Sequence, residues 1–180
     1  MKQNKEVLIG VLFLSFFLIS TASPALAYSY PGYKWQQGYA YYTTDSTVPS
    51  SWSTSIYNGL MSWNNAGSSF RFYTLGTTNN KLYYSGLGSN GATAVTYTFA
   101  TGSSISKNTV YFNSDKSWST TGASGTFDVQ SVAVHEFGHW LHLDDLPSNS
   151  EPVMYAHLEM GQTKRSLTSD DKNGIRHIYP

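Results

Sequence analysis

The chain has 180 residues with 11 basic and 11 acidic side chains, so its formal net charge at pH 7 is zero. With no basic patch, this balance argues against a nucleic-acid-binding protein. The sequence contains no cysteine, which excludes disulfides, thiolate metal ligands and any thiol that could hold a precursor inactive. Stability must therefore come from the hydrophobic core and from any bound metal.

The first 27 residues have the three parts of a secretory signal peptide. A basic start precedes an apolar run over residues 7–19, and the small-residue sequence A-L-A at 25–27 forms a cleavage site. The apolar run is shorter than the roughly 20 residues of a transmembrane helix, although an uncleaved membrane anchor is the alternative. We expect residues 1–27 to be removed and residues 28–180 to form one secreted, extracellular domain that does not associate with a membrane.

A strand and then a helix are predicted first. The β-prone segment 39–43 indicates the strand. Four apolar residues then recur at helical spacing: Trp52, Ile56, Leu60 and Trp63. They predict a helix with one buried face that begins at residues 49–51, has a serine available as N-cap and stops near Gly67.

Four further strands are expected before the next helix, at residues 70–75, 81–85, 93–99 and 109–113. Segments rich in Ser, Thr, Gly and Asn between the elements indicate loops, at 76–80, 101–108 and 117–126. No internal repeat divides this region, so the elements belong to a single domain.

Two helices are predicted in the C-terminal third. Asp128 can cap the first of them, in the sequence FDVQSVAVHEFGHWL. Thr168 and Asp171 have the spacing of a capping box at the start of the second, whose Ile175 and Ile178 then face the core. The order of a strand, a helix, several strands and two helices indicates an α+β fold.

The sequence HEFGH at 135–139 predicts a zinc site. His135 and His139 are four residues apart on a helix, so their imidazoles lie on one face and can bind one ion. Glu136 is turned by about 100° from His135, which places it beside the ion, where it can take a proton from an attacking water. A short HExxH motif also occurs by chance, but an unpaired His-Glu-His set on an otherwise apolar helix would be costly to bury.

The residues alone leave several candidates for the third protein ligand. His142 shares a helical face with His135, but the helical rise puts it about 7–8 Å along the axis from an ion between the two histidines. If the chain turns back after residue 142, Asp145 can reach the ion and Asp144 points elsewhere. The residues favour Asp145, with His142, Asp144 and the downstream Glu151 and Glu159 as alternatives.

These residues resemble the metzincin metalloproteases, and the matrixin branch in particular. HEFGHWLHLDD followed by PVMYA is similar to the family motif H-E-x-x-H-x-x-G-x-x-H/D with its Met-turn. The segments YKW, TVYFNSDKSW and LTSDDKNGIRHIYP also look matrixin-like, so the resemblance covers most of residues 28–180. It implies a metzincin-like α+β domain: a twisted, mostly parallel sheet with an antiparallel edge strand, two long helices and a C-terminal helix.

The resemblance also assigns roles to residues. It places the zinc ligands at His135, His139 and Asp145, the general base at Glu136 and the Met-turn at Met154 and Tyr155. An aspartate as third zinc ligand resembles the ligand set of the snapalysins, a small group of secreted bacterial metalloproteases. His142 occupies the position of the family glycine, where a positive φ is usual, and histidine is among the side chains that tolerate it best.

Other family features are not transferred to this chain. Residues 76–134 contain no histidine and only two aspartates, so a structural zinc is not expected and calcium is unsupported. We expect His157 and His177 to be surface or helix-packing residues. Met154 is expected as a packing floor beneath the site rather than as a ligand.

The resemblance implies a secreted zinc endopeptidase with one catalytic Zn²⁺. A protein or peptide substrate would add to the edge strand at Ala94, Val95 and Thr96 by β-augmentation. A monomer is expected. The alternative is a non-catalytic secreted binding module that keeps the fold, with or without metal.

Overall fold

A computed structural model describes residues 30–180 of the protein; the predicted signal peptide lies outside the described residues. The strands are β1 Tyr39–Thr44, β2 Arg71–Thr74, β3 Lys81–Ser85, β4 Ala94–Thr101, β5 Ser104–Asn113, β6 Trp118–Ser119 and β7 Phe127–Asp128. The helices are α1 Ser53–Asn64, α2 Val129–Trp140 and α3 Ser169–Ile178. No helix in this described part is long and apolar enough to cross a membrane.

The main sheet has five strands in the order β2-β1-β3-β5-β4. The pairs β1–β2, β1–β3 and β3–β5 are parallel, whereas β4 runs antiparallel to β5. Because β4 is at the end of this order, one side of its backbone is free of strand partners in the sheet. The expected α+β architecture, mostly parallel with an antiparallel edge strand, is confirmed.

Helices α1 and α2 pack closely against each other. The predicted apolar face of α1 is buried through Ile56, Leu60 and Trp63. Gly59 permits the close approach, because a Cβ built there would lie 3.0 Å from the Cβ of Ala133. Trp63 Nε1 also donates to the Val134 carbonyl oxygen at 2.7 Å, which ties α1 to the helix that carries HEFGH.

The first helix begins and ends differently from the prediction. Residues 50–52 form a 3-10 turn, and neither this turn nor α1 has a capping hydrogen bond from a side chain. The expected serine N-cap is therefore wrong: Ser53 Oγ instead donates backwards to the Ser50 carbonyl oxygen at 2.7 Å. At the other end, Asn64 pairs with the backbone of Phe72 through both its amide atoms. This contact with β2 ends the helix three residues before Gly67.

Residues 101–108, predicted as a loop, belong to the β4–β5 hairpin. Only Gly102 and Ser103 lie between the two strands, and Gly102 takes a positive φ of 57°. The N-terminal segment supports the hairpin, since Lys34 N–H donates to Ser103 O and Ile105 N–H donates to Lys34 O, both at 3.0 Å. The loop prediction was wrong because exposed strand ends have the same polar composition as loops.

Both predicted N-caps of the last two helices are confirmed. Asp128 accepts a hydrogen bond from Ser131 N–H at 2.9 Å at the start of α2. Thr168 and Asp171 form a reciprocal capping box at the start of α3, and Ile175 and Ile178 are buried as expected. These caps satisfy backbone N–H groups that a helix start leaves unpaired.

Candidate metal centre

The two histidines of α2 present the same ring nitrogen towards one point. His135 Nδ1 lies 2.9 Å from the Val153 carbonyl oxygen, and His139 Nδ1 lies 2.8 Å from the Leu143 carbonyl oxygen. A carbonyl can only accept, so Nδ1 carries the proton in each neutral ring. Each Nε2 is then left with a lone pair, which is the state that a metal ligand requires.

A Schellman motif at the end of α2 turns the chain back towards these rings. His142 N–H donates to the His139 carbonyl oxygen at 2.9 Å, and Leu143 N–H donates to the Gly138 carbonyl oxygen at 3.1 Å. His142 takes the left-handed conformation, with φ 69°. This is the position where glycine is the usual residue, so the predicted turn at His142 is present.

The turn brings Asp145 to the two histidines. Asp145 Oδ1 lies 3.1 Å from His135 Nε2 and 3.7 Å from His139 Nε2. One donor atom from each residue lies within 4.8 Å of the other two, a group that could hold a metal ion. Within the described residues, none of the alternatives belongs to such a group: His142, Asp144, Glu151 and Glu159.

His135 and Asp145 shift the pKa of each other. Burial alone would lower the pKa of His135, but the hydrogen bond that the protonated ring donates to Asp145 and the negative charge of Glu136 outweigh it and leave the pKa raised. The bond from His135 lowers the pKa of Asp145 despite the opposing effect of burial. A carboxylate that stays ionised beside two imidazoles is a suitable third donor for zinc.

His142 itself is a buried turn residue outside the donor group. Its ring lies against that of Tyr33, with 3.7 Å between centroids, and meets Tyr30 edge-on at 6.3 Å. Burial lowers the pKa of His142, and its Nε2 has no hydrogen-bond partner in the described part of the chain. The His142 ring therefore packs against the N-terminal segment, and the left-handed backbone conformation at this residue is strained.

The last carbonyl of α2 is fixed by two other parts of the chain. Trp140 O accepts from Trp35 Nε1 at 2.8 Å and from Asn108 Nδ2 at 3.2 Å. Trp35 belongs to the YKW segment, and Asn108 to β5. These bonds satisfy a carbonyl that the helix end leaves free and hold the turn in position.

Met154, the predicted Met-turn residue, packs against the helix that carries the two histidines. It is 1% exposed and packs against Gly138, the residue just before His139. A Cβ built on Gly138 would lie 2.1 Å from Met154 Sδ and 2.9 Å from Trp63 Cζ2. Position 138 therefore has no room for any side chain.

Gly138→Ala should destabilise the protein by about 1–3 kcal/mol, because overpacking of the core outweighs the better helix propensity of alanine. Thermal and urea unfolding of the metal-free protein would measure the change. Gly76→Ala is the matched control, since a Cβ there meets nothing within 4 Å. Equal stabilities of the two variants would contradict the close packing at Gly138.

An ion pair between the buried Asp128 and the partly exposed Arg165 fixes the start of α2 to the segment that follows the Met-turn. Arg165 Nε donates to Asp128 Oδ2 at 2.9 Å, and Arg165 Nη2 bonds both Asp128 Oδ1 and the Thr120 carbonyl oxygen. Asp128 is fully buried and also accepts from Ser131 Oγ. Burial would raise the pKa of Asp128, but the bonds from Arg165 and Ser131 outweigh it and hold the pKa below its usual value.

Asp128→Asn should destabilise the protein by about 3 kcal/mol at pH 7, since it leaves Arg165 without its counter-charge. The pKa of Asp128 is lower in the folded state, so its contribution is complete above the unfolded value near 3.9 and is lost as pH falls through the folded value. Urea unfolding at several pH values should show the difference between wild type and variant shrinking below pH 4. A constant difference down to pH 2 would contradict it.

The three donor residues and Glu136 line one cleft of about 730 Å³. The cleft is lined by residues of β4, by residues of α2 and by residues 153 and 155–158. Tyr155 and His157 both line it; His157 is exposed, as expected. The free edge of β4, with the predicted substrate residues Ala94, Val95 and Thr96, thus lies beside the donor group.

One contact in this cleft was not predicted. Thr96 Oγ1 donates to Glu136 Oε2 at 2.6 Å. Thr96 had been predicted for peptide pairing through its strand, not for a contact of its hydroxyl. The sequence contains no signal for it, since the two residues are 40 positions apart and meet only because β4 packs against α2.

Comparison with known proteins identifies the family. The family model for matrixin matches residues 44–180. The chain belongs to the matrixin family. The observed sheet, edge strand and helices agree with the matrixin fold, which belongs to the metzincins.

Several curated proteins are similar to this matrixin over part of its length. A metalloendoproteinase 2-MMP of Arabidopsis thaliana is 37% identical over 76 residues, which cover 38% of this chain and 20% of that protein. A metalloendoproteinase 1 of Glycine max is 36% identical over 75 residues, 38% of this chain and 24% of that protein. Human matrix metalloproteinase-27 is 35% identical over 69 residues, 38% of this chain and 13% of that protein. The match thus spans a quarter or less of each of these relatives.

Proposed function

We propose that this matrixin is a secreted zinc-dependent endopeptidase that hydrolyses peptide bonds in proteins or peptides. The observation that carries the proposal is the convergence of His135 Nε2, His139 Nε2 and Asp145 Oδ1 beside Glu136 in an open cleft. The names of the relatives, metalloendoproteinases and a matrix metalloproteinase, support the same reaction class.

The donor set fits one zinc ion. Two imidazoles and one carboxylate are accepted zinc ligands, and three protein ligands leave a position open for water or substrate. Carbonyl groups of Val153 and Leu143 orient the two rings, as outer-shell partners do in metal sites. Bound there, zinc would supply Lewis acidity, which polarises the scissile carbonyl and makes water more acidic.

Glu136 performs the proton transfers in this proposal. Its carboxylate accepts a proton from the attacking water and then delivers it to the amine of the departing product. Glu136 is only 5% exposed, and this burial excludes bulk water from the proton it holds. Met154 acts as a packing floor beneath the ligands rather than as a ligand, and Tyr155 lines the cleft beside it.

The register of β4 supports a specific mode of substrate binding. Asn113 N–H donates to the Thr93 carbonyl oxygen at 3.0 Å, and backbone groups of an antiparallel strand alternate in direction. Val95 therefore directs its N–H and C=O to β5, whereas Ala94 and Thr96 direct theirs to the free edge. A peptide adding to this edge would bond to Ala94 and Thr96, with Val95 holding the strand in the sheet.

Zinc analysis and digestion of casein by the purified protein would test the proposal. We expect about one zinc per chain, cleavage that a chelator abolishes and recovery when zinc is restored. Cleavage that is insensitive to a chelator would refute zinc dependence. Stoichiometric zinc without cleavage of casein or of a peptide library would favour the non-catalytic binding module instead.

Secretion has a separate test. Expression in a secreting bacterial host, followed by N-terminal sequencing of the protein in the medium, should show a chain that starts at Tyr28. A chain that stays with the membrane and keeps its first 27 residues would indicate an anchor.

A further inference from the structure

We propose that Thr96 is a positioning residue for the general base: its hydroxyl holds Glu136 in the orientation that proton transfer needs. This inference rests on the proposed peptidase function. It assigns to β4 a second role besides pairing with substrate, and it concerns the side chain of Thr96 rather than its backbone.

The geometry of the contact is specific. Thr96 Oγ1 lies 2.6 Å from Glu136 Oε2 and 3.5 Å from the Glu136 backbone oxygen. A hydroxyl has one proton, and an ionised carboxylate can only accept. The shorter contact is in the range of a charge-assisted O–H···O⁻ bond, so the proton points to the carboxylate.

Glu136 depends on this bond. The side chain is nearly buried, and a buried carboxylate without a partner is strongly disfavoured. Within the described residues, Thr96 is the donor that bonds to this carboxylate. Oε1 accepts no bond from the described chain and is not among its buried unpaired atoms. The hydroxyl thus occupies Oε2 and leaves Oε1 open to the cleft as the proton acceptor.

The strand fixes the hydroxyl in turn. Thr96 lies opposite Val110 of β5 in the register of the sheet, and Val110 is fully buried. Threonine has few side-chain rotamers because it is branched at Cβ. The general base on α2 is therefore oriented from the strand to which the substrate would add, so one element places both reactants.

Thr96→Val is the decisive variant, since valine keeps the shape and removes the hydroxyl. We expect kcat to fall by about 10- to 100-fold, the scale of a catalytic group displaced by about 1 Å, with KM for a peptide substrate changed less than about 2-fold. Zinc content and the melting temperature should stay close to wild type. Thr96→Ser, which restores a hydroxyl, should recover most of kcat.

The controls separate this inference from the function it rests on. Thr101→Val makes the same change near the end of β4, outside the cleft, and should leave kcat unchanged. If wild type cleaves and Thr96→Val retains full kcat, the positioning role fails while the peptidase stands. If Thr96→Val instead raises KM alone, or Thr96→Ser does not recover kcat, the side chain acts in binding or packing. If wild type does not cleave, the proposed function itself fails.

Discussion

Glu136→Gln should lower kcat for peptide hydrolysis by about 10²- to 10⁴-fold, the usual contribution of a general acid–base group. Glutamine has nearly the same shape and can still accept the Thr96 hydrogen bond through its amide oxygen. It cannot take a proton from water or return one to the leaving amine. The measurement is steady-state hydrolysis of a fluorogenic peptide by protein saturated with zinc.

Zinc binding should survive this change, because the structure places Glu136 outside the group of donor atoms. Glu151→Gln is the matched control: this glutamate is exposed and lies outside the cleft, so its loss should leave kcat unaltered. Full activity of Glu136→Gln would remove this residue as the general base. Loss of zinc from it would show that Glu136 is a ligand instead.

Asp145→Ala should weaken zinc binding by more than the 10- to 100-fold typical for loss of an outer-shell partner. In the wild-type structure, Asp145 Oδ1 lies 3.1 and 3.7 Å from the Nε2 atoms of His135 and His139. The change removes this donor atom and leaves only the two imidazoles. Competition with a chromogenic chelator at constant pH would measure the affinity, and peptide cleavage should fall with zinc occupancy.

Two neighbouring variants make this test specific. Asp144→Ala changes an adjacent carboxylate outside the donor group and should retain zinc. His142→Gly should also retain zinc, because glycine accepts the positive φ of 69° without strain. If His142→Gly loses zinc and Asp145→Ala keeps it, His142 is the third ligand and the proposed donor set is wrong.

The turn at His142 shows how far local reasoning extends. The helical rise argued against His142 as a ligand, and the resemblance placed it where the family has a glycine. The observed Schellman bonds and positive φ agree with both arguments. The ring's contact with Tyr33 could not be derived, because the two residues are more than a hundred positions apart in the sequence.

The errors in the predicted elements have a common physical cause. A serine before α1 was expected to cap the helix, but a 3-10 turn occupies that place. Polar residues at 101–108 indicated a loop, but pairing with a partner strand makes them part of a hairpin. In both cases composition describes solvent exposure well and describes backbone hydrogen bonding poorly.

The sequence by itself determined the features that depend on short spacing. These are the two histidines one helical turn apart, the Asp128 cap, the Thr168–Asp171 capping box and the apolar face of α1, because helix geometry relates residues three and four apart directly. Only the tertiary structure decided the contacts between distant segments. The carbonyl of Val153 orients His135, the Thr96 hydroxyl holds Glu136, and Met154 packs directly against Gly138. Such contacts depend on how the sheet, the helices and the Met-turn pack together. The periodicity of the sequence describes single elements and does not predict this packing.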